Sequence, residues 1–149
     1  MFYSAEGFSQ STHIRLIYTD DYLQGDQLEL SLNQSIKKTP FSFELGMARS
    51  PDLKSYNVKT GFNYYYSNKS NYVNFSIGLR AVHARFKQLD TSGVRFTQIA
   101  TYFDMPFRAD FKMRENLFLT TTFNPTYNTY SLLNDKIILQ GGIGIGYAF

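Results

Sequence analysis

The residues from Ile137 to Phe149 alternate so strictly that one backbone geometry suits them. Counting back from the carboxyl end by twos gives Phe149, Tyr147, Ile145, Ile143, Gly141, Leu139 and Ile137. The set between them is Ala148, Gly146, Gly144, Gly142, Gln140 and Ile138. Successive side chains of a β-strand point to opposite faces, so the segment has one greasy face and one of small or polar residues. It lies between two unlike environments. Ending an open sheet, it would present a row of unpaired backbone groups, a hazard that a closed barrel removes.

The same period recurs upstream. Eight strands are expected, over 11–19, 26–35, 41–49, 55–66, 71–86, 94–113, 116–130 and 136–149. In the second, Leu28, Leu30 and Leu32 oppose Gln27, Glu29, Ser31 and Asn33. In the fifth, Val73, Phe75, Ile77, Leu79 and Ala81 oppose Asn74, Ser76, Gly78 and Arg80. The first half of 94–113 mixes polar residues into both faces and is expected to project beyond a bilayer. Connections after the second, fourth and sixth strands (KKTP, SNKS, REN) are tight and made of turn-forming residues, whereas the others are longer or extend into strand arms. With an even strand count, the tight turns and both termini fall at one end.

Tyr147-Ala148-Phe149, closing a strand whose alternate residues Ile143, Ile145, Tyr147 and Phe149 are hydrophobic, resembles the C-terminal signal of bacterial outer-membrane β-barrels. The chain from about Ser11 onward is similar to the small eight-stranded barrels of the OmpA and OmpX type. The resemblance implies an all-β fold, an eight-stranded antiparallel up-and-down transmembrane β-barrel, formed as a single domain over 1–149 and placed in the bacterial outer membrane. It implies that the terminal residues are recognised by the outer-membrane barrel assembly machinery. The partners it implies are outer-membrane lipids, lipopolysaccharide, and a host or surface ligand held by extracellular loops. Roles in that family are envelope integrity, adhesion and resistance to host defence. Residues 1–10 lack a basic region followed by an apolar run, so the signal peptide of such an exported barrel is expected to have been removed.

Composition removes several other classes. No window approaches the roughly 20 apolar residues of a membrane helix. The slightly negative mean hydropathy does not argue against a barrel, because a spanning strand averages its lipid-facing and lumen-facing residues. Cysteine is absent, which rules out disulfides and thiolate metal sites. The 15 basic residues are scattered among 12 acidic ones, without the basic stripe of a nucleic-acid binder. Many of the 12 Tyr lie near strand ends, where rings form interfacial girdles, although such girdles commonly hold Trp and this chain has none.

Alternation alone leaves open which face points inward. A soluble lipid-binding barrel turns its apolar rows toward a ligand, and a membrane barrel turns them toward hydrocarbon. The polar rows here are mostly Ser, Asn, Gln, Thr and Gly, which suit a crowded lumen better than a solvated exterior. Their charges nearly balance: Arg15, Lys59, Arg80, Arg108 and Lys112 against Glu29, Glu44, Asp104 and Asp110. An eight-stranded barrel has room inside for side chains and little else, so these nine residues are expected to form a mutually neutralising plug. A narrow channel between the small lumen residues stays open as a second reading.

No catalytic residue, metal or cofactor is assigned. Outer-membrane enzymes that modify lipid A need His, Ser and a carboxylate close together near the outer rim, and the chain has two histidines. His13 is expected in the lumen near the terminal end. His83, with Asp90 and Ser92 in the loop beyond it, is expected on the lipid side. Asp20, Asp21 and Asp26 lack the spacing of a calcium loop. Gly141–Gly146 precedes no helix and makes no phosphate loop. Arg49, Lys54, Arg85 and Lys87 fall at outer strand ends, as a basic rim suited to lipopolysaccharide phosphates.

Overall fold

Alternating segments joined by short turns pair with their sequence neighbours, and here every strand pairs on both sides. The computed structural model describes residues 12–20, 26–36, 39–50, 55–66, 72–89, 93, 95–127 and 137–149, with backbone alone for 86–89, 95, 96 and 98. The strands are β1 (Thr12–Asp20), β2 (Gln27–Ser35), β3 (Phe41–Ser50), β4 (Ser55–Tyr66), β5 (Val73–Leu89), β6 (Arg95–Asp104), β7 (Phe107–Lys112), β8 (Leu117–Tyr127) and β9 (Ile137–Ala148). All pairings are antiparallel. β9 lies against both β8 and β1, and this closes the barrel.

The expected sixth strand is two elements forming one stave. The ladder to β5 keeps a single register across the gap, from Arg80↔Asp104 to Ile77↔Phe107. The break is at Met105-Pro106, where proline lacks the N–H that a ladder needs. Pro125 on β8 adds a second missing donor beside it. What remains are single bonds, Gly78 N–H to the Pro106 carbonyl at 2.8 Å and Met105 N–H to the Pro125 carbonyl at 2.9 Å. At the far end, Phe86 to Leu89 pair with β6 alone among the described residues, so this hairpin outruns its β4 neighbour.

Following hydrogen-bonded partners once around the wall shows how steeply the strands tilt. The path runs from Ala148 through His13, Asn33, Glu44, Gly61, Arg80, Asp104 and Thr126 to Ile138, ten residues along the strand where it began. Such a stagger is what lets eight strands close into a cylinder whose interior side chains just fill. It also brings residues far apart in sequence to one height in the lumen.

Burial inverts the usual order. Leu28, Phe43 and Ile77 are 50%, 41% and 40% exposed, whereas Arg80 is 1% exposed. The apolar rows therefore face outward, which removes the soluble carrier from the readings left open by the sequence. Outward rings pack together near the terminal end, Phe41 with Tyr64 across β3 and β4 at 5.3 Å, and Tyr147 with Phe149 along one segment at 5.0 Å.

Candidate functional site: the filled lumen

Inward-facing residues form four layers along the axis. At the end that carries the termini, the His13 ring meets the edges of Tyr65 and Phe118, with centroids 6.1 and 5.7 Å apart. Arg15 lies over the other side of this floor, 5.2 Å from the Phe118 centroid. Room for the Phe118 ring comes from Gly146 on the adjacent β9, where a Cβ would sit 2.3 Å from ring atoms.

Above the floor, Arg15 Nη2 donates to Asp110 Oδ2 at 2.7 Å and to the Tyr65 hydroxyl at 3.1 Å. Thr120 Oγ1 donates to the other carboxylate oxygen of Asp110 at 2.6 Å. Arg80 is the hub of the next level. Its Nε and Nη2 form a two-pronged bond to Asp104, at 2.7 and 2.6 Å, and its Nη1 reaches Glu29 at 2.8 Å and Glu44 at 3.0 Å. Lys59 Nζ meets the second oxygen of Glu29 at 2.5 Å. Arg108 donates from Nη2 and Nη1 to the two oxygens of Glu44, at 2.6 and 2.8 Å.

Four cations thus face four carboxylates, all at or below 3% exposure. Planar guanidiniums with several fixed donors can hold more than one carboxylate at once, which a lysine in the hub position could not do in the same geometry. Gly61, opposite Arg80 in the ladder, has no Cβ to collide with the hub: one placed there would lie 2.8 Å from Arg80 Cγ. Lys112 departs from the expected nine. It keeps the inward parity of Arg108 and Asp110, but it is the last residue of β7 and is exposed past the end of the packed lumen, in none of these ion pairs.

Toward the outer end the lining turns neutral. Asn57 Nδ2 donates to Gln27 Oε1 at 2.9 Å. Around them are Thr19, Ser50, Ser55, Thr126 and Gln140, with Ala48, Val82, Ala84, Ala100 and Tyr102. Sequence reasoning did not single out Asn63, Tyr65, Phe118 or Thr120 as members of the network. Their inward parity was the available signal, and Asn63 uses it by donating to both Asn33 Oδ1 and Glu44 Oε2, at 2.8 and 2.6 Å.

The other sequence-derived positions are dispersed. His83 faces outward, its Nδ1 3.0 Å from Thr101 Oγ1, while Asp90 and Ser92 lie outside the described residues. Tyr18 donates its hydroxyl to Asp26; Asp21 is outside the described residues. Arg49 and Arg85 are exposed on the outward face, whereas Lys54 and the side chain of Lys87 are outside the described set. Ile143, Ile145, Tyr147 and Phe149 line the outward face of β9 and its end.

No protein-family model matches the sequence, and no curated protein matches it. Solved structures do match in shape. The N-terminal β-barrel domain of Pseudomonas aeruginosa OprF superposes with a TM-score of 0.77 at 14% identity, over 95% of this chain and 98% of that one. A de novo designed transmembrane β-barrel gives 0.68 at 10% identity, over 94% and 96%. Ail, the attachment invasion locus protein of Yersinia pestis, in complex with the heparin analogue sucrose octasulfate, gives 0.54 at 17% identity, over 93% and 97%. The fold is that of the small eight-stranded outer-membrane β-barrels.

Proposed function

We propose that this chain is an integral protein of a bacterial outer membrane, non-enzymatic, with a sealed lumen, acting through the segments that join its strands at the outer end. The observation that carries this reading is the buried lattice of Arg15, Lys59, Arg80, Arg108, Glu29, Glu44, Asp104 and Asp110 inside an apolar exterior. Charges removed from water must be paired, and a closed barrel is the β-structure that leaves no backbone edge facing lipid. A lumen filled in this way supports a scaffold that holds loops in place. Its surroundings would be outer-membrane lipids and lipopolysaccharide, and β9, with Ile143, Ile145, Tyr147 and Phe149, would be the segment handled by the barrel assembly machinery.

Envelope integrity, adhesion and host-defence resistance are the roles in view. Because Ail was crystallised with a heparin analogue, sulfated glycans are the first class of surface ligand to try. Folding into detergent micelles, followed by electrophoresis with and without boiling, tests the membrane reading through heat-dependent mobility. Planar-bilayer recording tests the seal: silence is expected, and a steady ion current would replace the scaffold with the narrow channel.

A further inference from the structure

Pro106 and Pro125 interrupt the wall on adjacent staves, and the interruption leaves one backbone acceptor over. Directly opposed residues of an antiparallel pair exchange two N–H···O bonds or none. Asp104 faces Thr126, so Met105 faces Pro125 one step on, and the 2.9 Å bond from Met105 N–H to the Pro125 carbonyl marks them as an exchanging pair. The reciprocal bond cannot form, because proline has no N–H. The Met105 carbonyl is therefore aimed at β8 without a ladder donor. Thr126, next along β8, turns its hydroxyl into the lumen, where it has no partner among the described residues.

The same spot is recessed on the outside. A notch of about 250 Å³ opens outward, bordered by Leu79, Phe103, Met105, Pro125, Tyr127 and Ile137. Leu79, Phe103, Met105 and Ile137 are exposed members of the apolar rows, and Phe107 and Phe111 continue the row of Met105 toward the terminal end, so the notch is inside the apolar belt and not at its margin. An unpaired backbone carbonyl is costly in hydrocarbon. A plain alkyl chain would fill the notch and leave the acceptor unmet; water would meet the acceptor and leave the apolar lining wet. An alkyl chain that carries a hydroxyl does both.

We propose that the notch at Met105 and Pro125 is a site for a hydroxylated acyl chain, its methylenes against Leu79, Phe103 and Ile137 and its hydroxyl donating to the Met105 carbonyl. The proposal rests on the outer-membrane reading and adds to it a ligand class set by the wall itself. Selectivity comes from the hydroxyl, since a site with a polar atom to satisfy rejects the analogue that lacks the matching group.

The test uses the full chain in phosphatidylcholine bilayer discs doped with ricinoleate or with oleate, which differ by one mid-chain hydroxyl and share chain length and carboxylate, with retained fatty acid counted by native mass spectrometry. Wild type is expected to retain ricinoleate with about tenfold preference over oleate. Pro125→Val supplies the missing N–H to the Met105 carbonyl and is expected to abolish the preference, whereas Leu79→Trp fills the notch and is expected to lower retention of both. Equal retention of the two by wild type, a preference that persists in Pro125→Val, or undiminished retention in Leu79→Trp overturns the site. Heat-dependent mobility after insertion into pure phosphatidylcholine is scored separately: proteins that insert but do not discriminate refute the site alone, and failure to insert refutes the membrane reading beneath it.

Discussion

Arg80 and Asn57 lie on neighbouring staves and both point into the lumen, yet the regions around them are built from different chemistry. Around Arg80, three carboxylates converge on one guanidinium, and removing any member strands a charge in a space closed to water. Around Asn57 the lining is neutral, and several hydroxyl and amide atoms, among them those of Ser50, Ser55, Thr126 and Gln140, have no partner among the described residues. The first region is specified member by member. The second tolerates exchange, because a lone hydroxyl costs far less than a lone charge. In the proposed scaffold, the ionic layers and the aromatic floor would be the seal.

The largest test of this contrast is Arg80→Ala. It leaves Glu29, Glu44 and Asp104 with too few cations and is expected to destabilise the barrel by about 3–5 kcal/mol, measured as urea unfolding in lipid vesicles. An unmoved midpoint would mean that water reaches the carboxylates, and the seal would fail with it. Next is Gly61→Ala, whose new methyl would lie 2.2 Å from the Leu79 carbonyl oxygen and 2.7 Å from Arg80 Cα. A loss of about 1–3 kcal/mol is expected in the same assay, against no loss for Gly141→Ala, where a Cβ meets nothing within 4 Å.

In the neutral layer, Asn57→Ala removes the bond to Gln27 and should cost about 1 kcal/mol. A loss as large as that of Arg80→Ala would erase the distinction between the regions. The smallest effect is expected in the wall next to Asp104. Pro125→Val restores an N–H opposite the Met105 carbonyl and should stabilise by about 0.5–1 kcal/mol, the new bond outweighing the lost chain stiffness. Slower amide exchange along the β6–β8 seam would accompany it.

Sequence legibility followed the same division. Strand positions were readable because alternation is local: each side chain's face depends only on the count from its neighbour, so Leu28, Phe43 and Ile77 could be placed on the face opposite Arg80 before any pairing was known. The break at Met105-Pro106 was less legible, since Pro106 keeps its parity and only its missing donor shows where the ladder is interrupted.

Period, strand count and the separation of apolar from ionic rows were therefore determined by the order of residues itself, whereas the expected tight turn at 67–70 lies outside the described residues. Which ions meet was decided only by the closed barrel. Glu29 and Arg80 are 51 residues apart, and Arg15 and Asp110 are 95 apart. They meet because a ten-residue stagger tilts every strand and sets distant positions at one height, a quantity no single strand contains. The same geometry left Lys112 outside the lattice, since parity says which face a residue takes but not how far along the axis the packed interior extends.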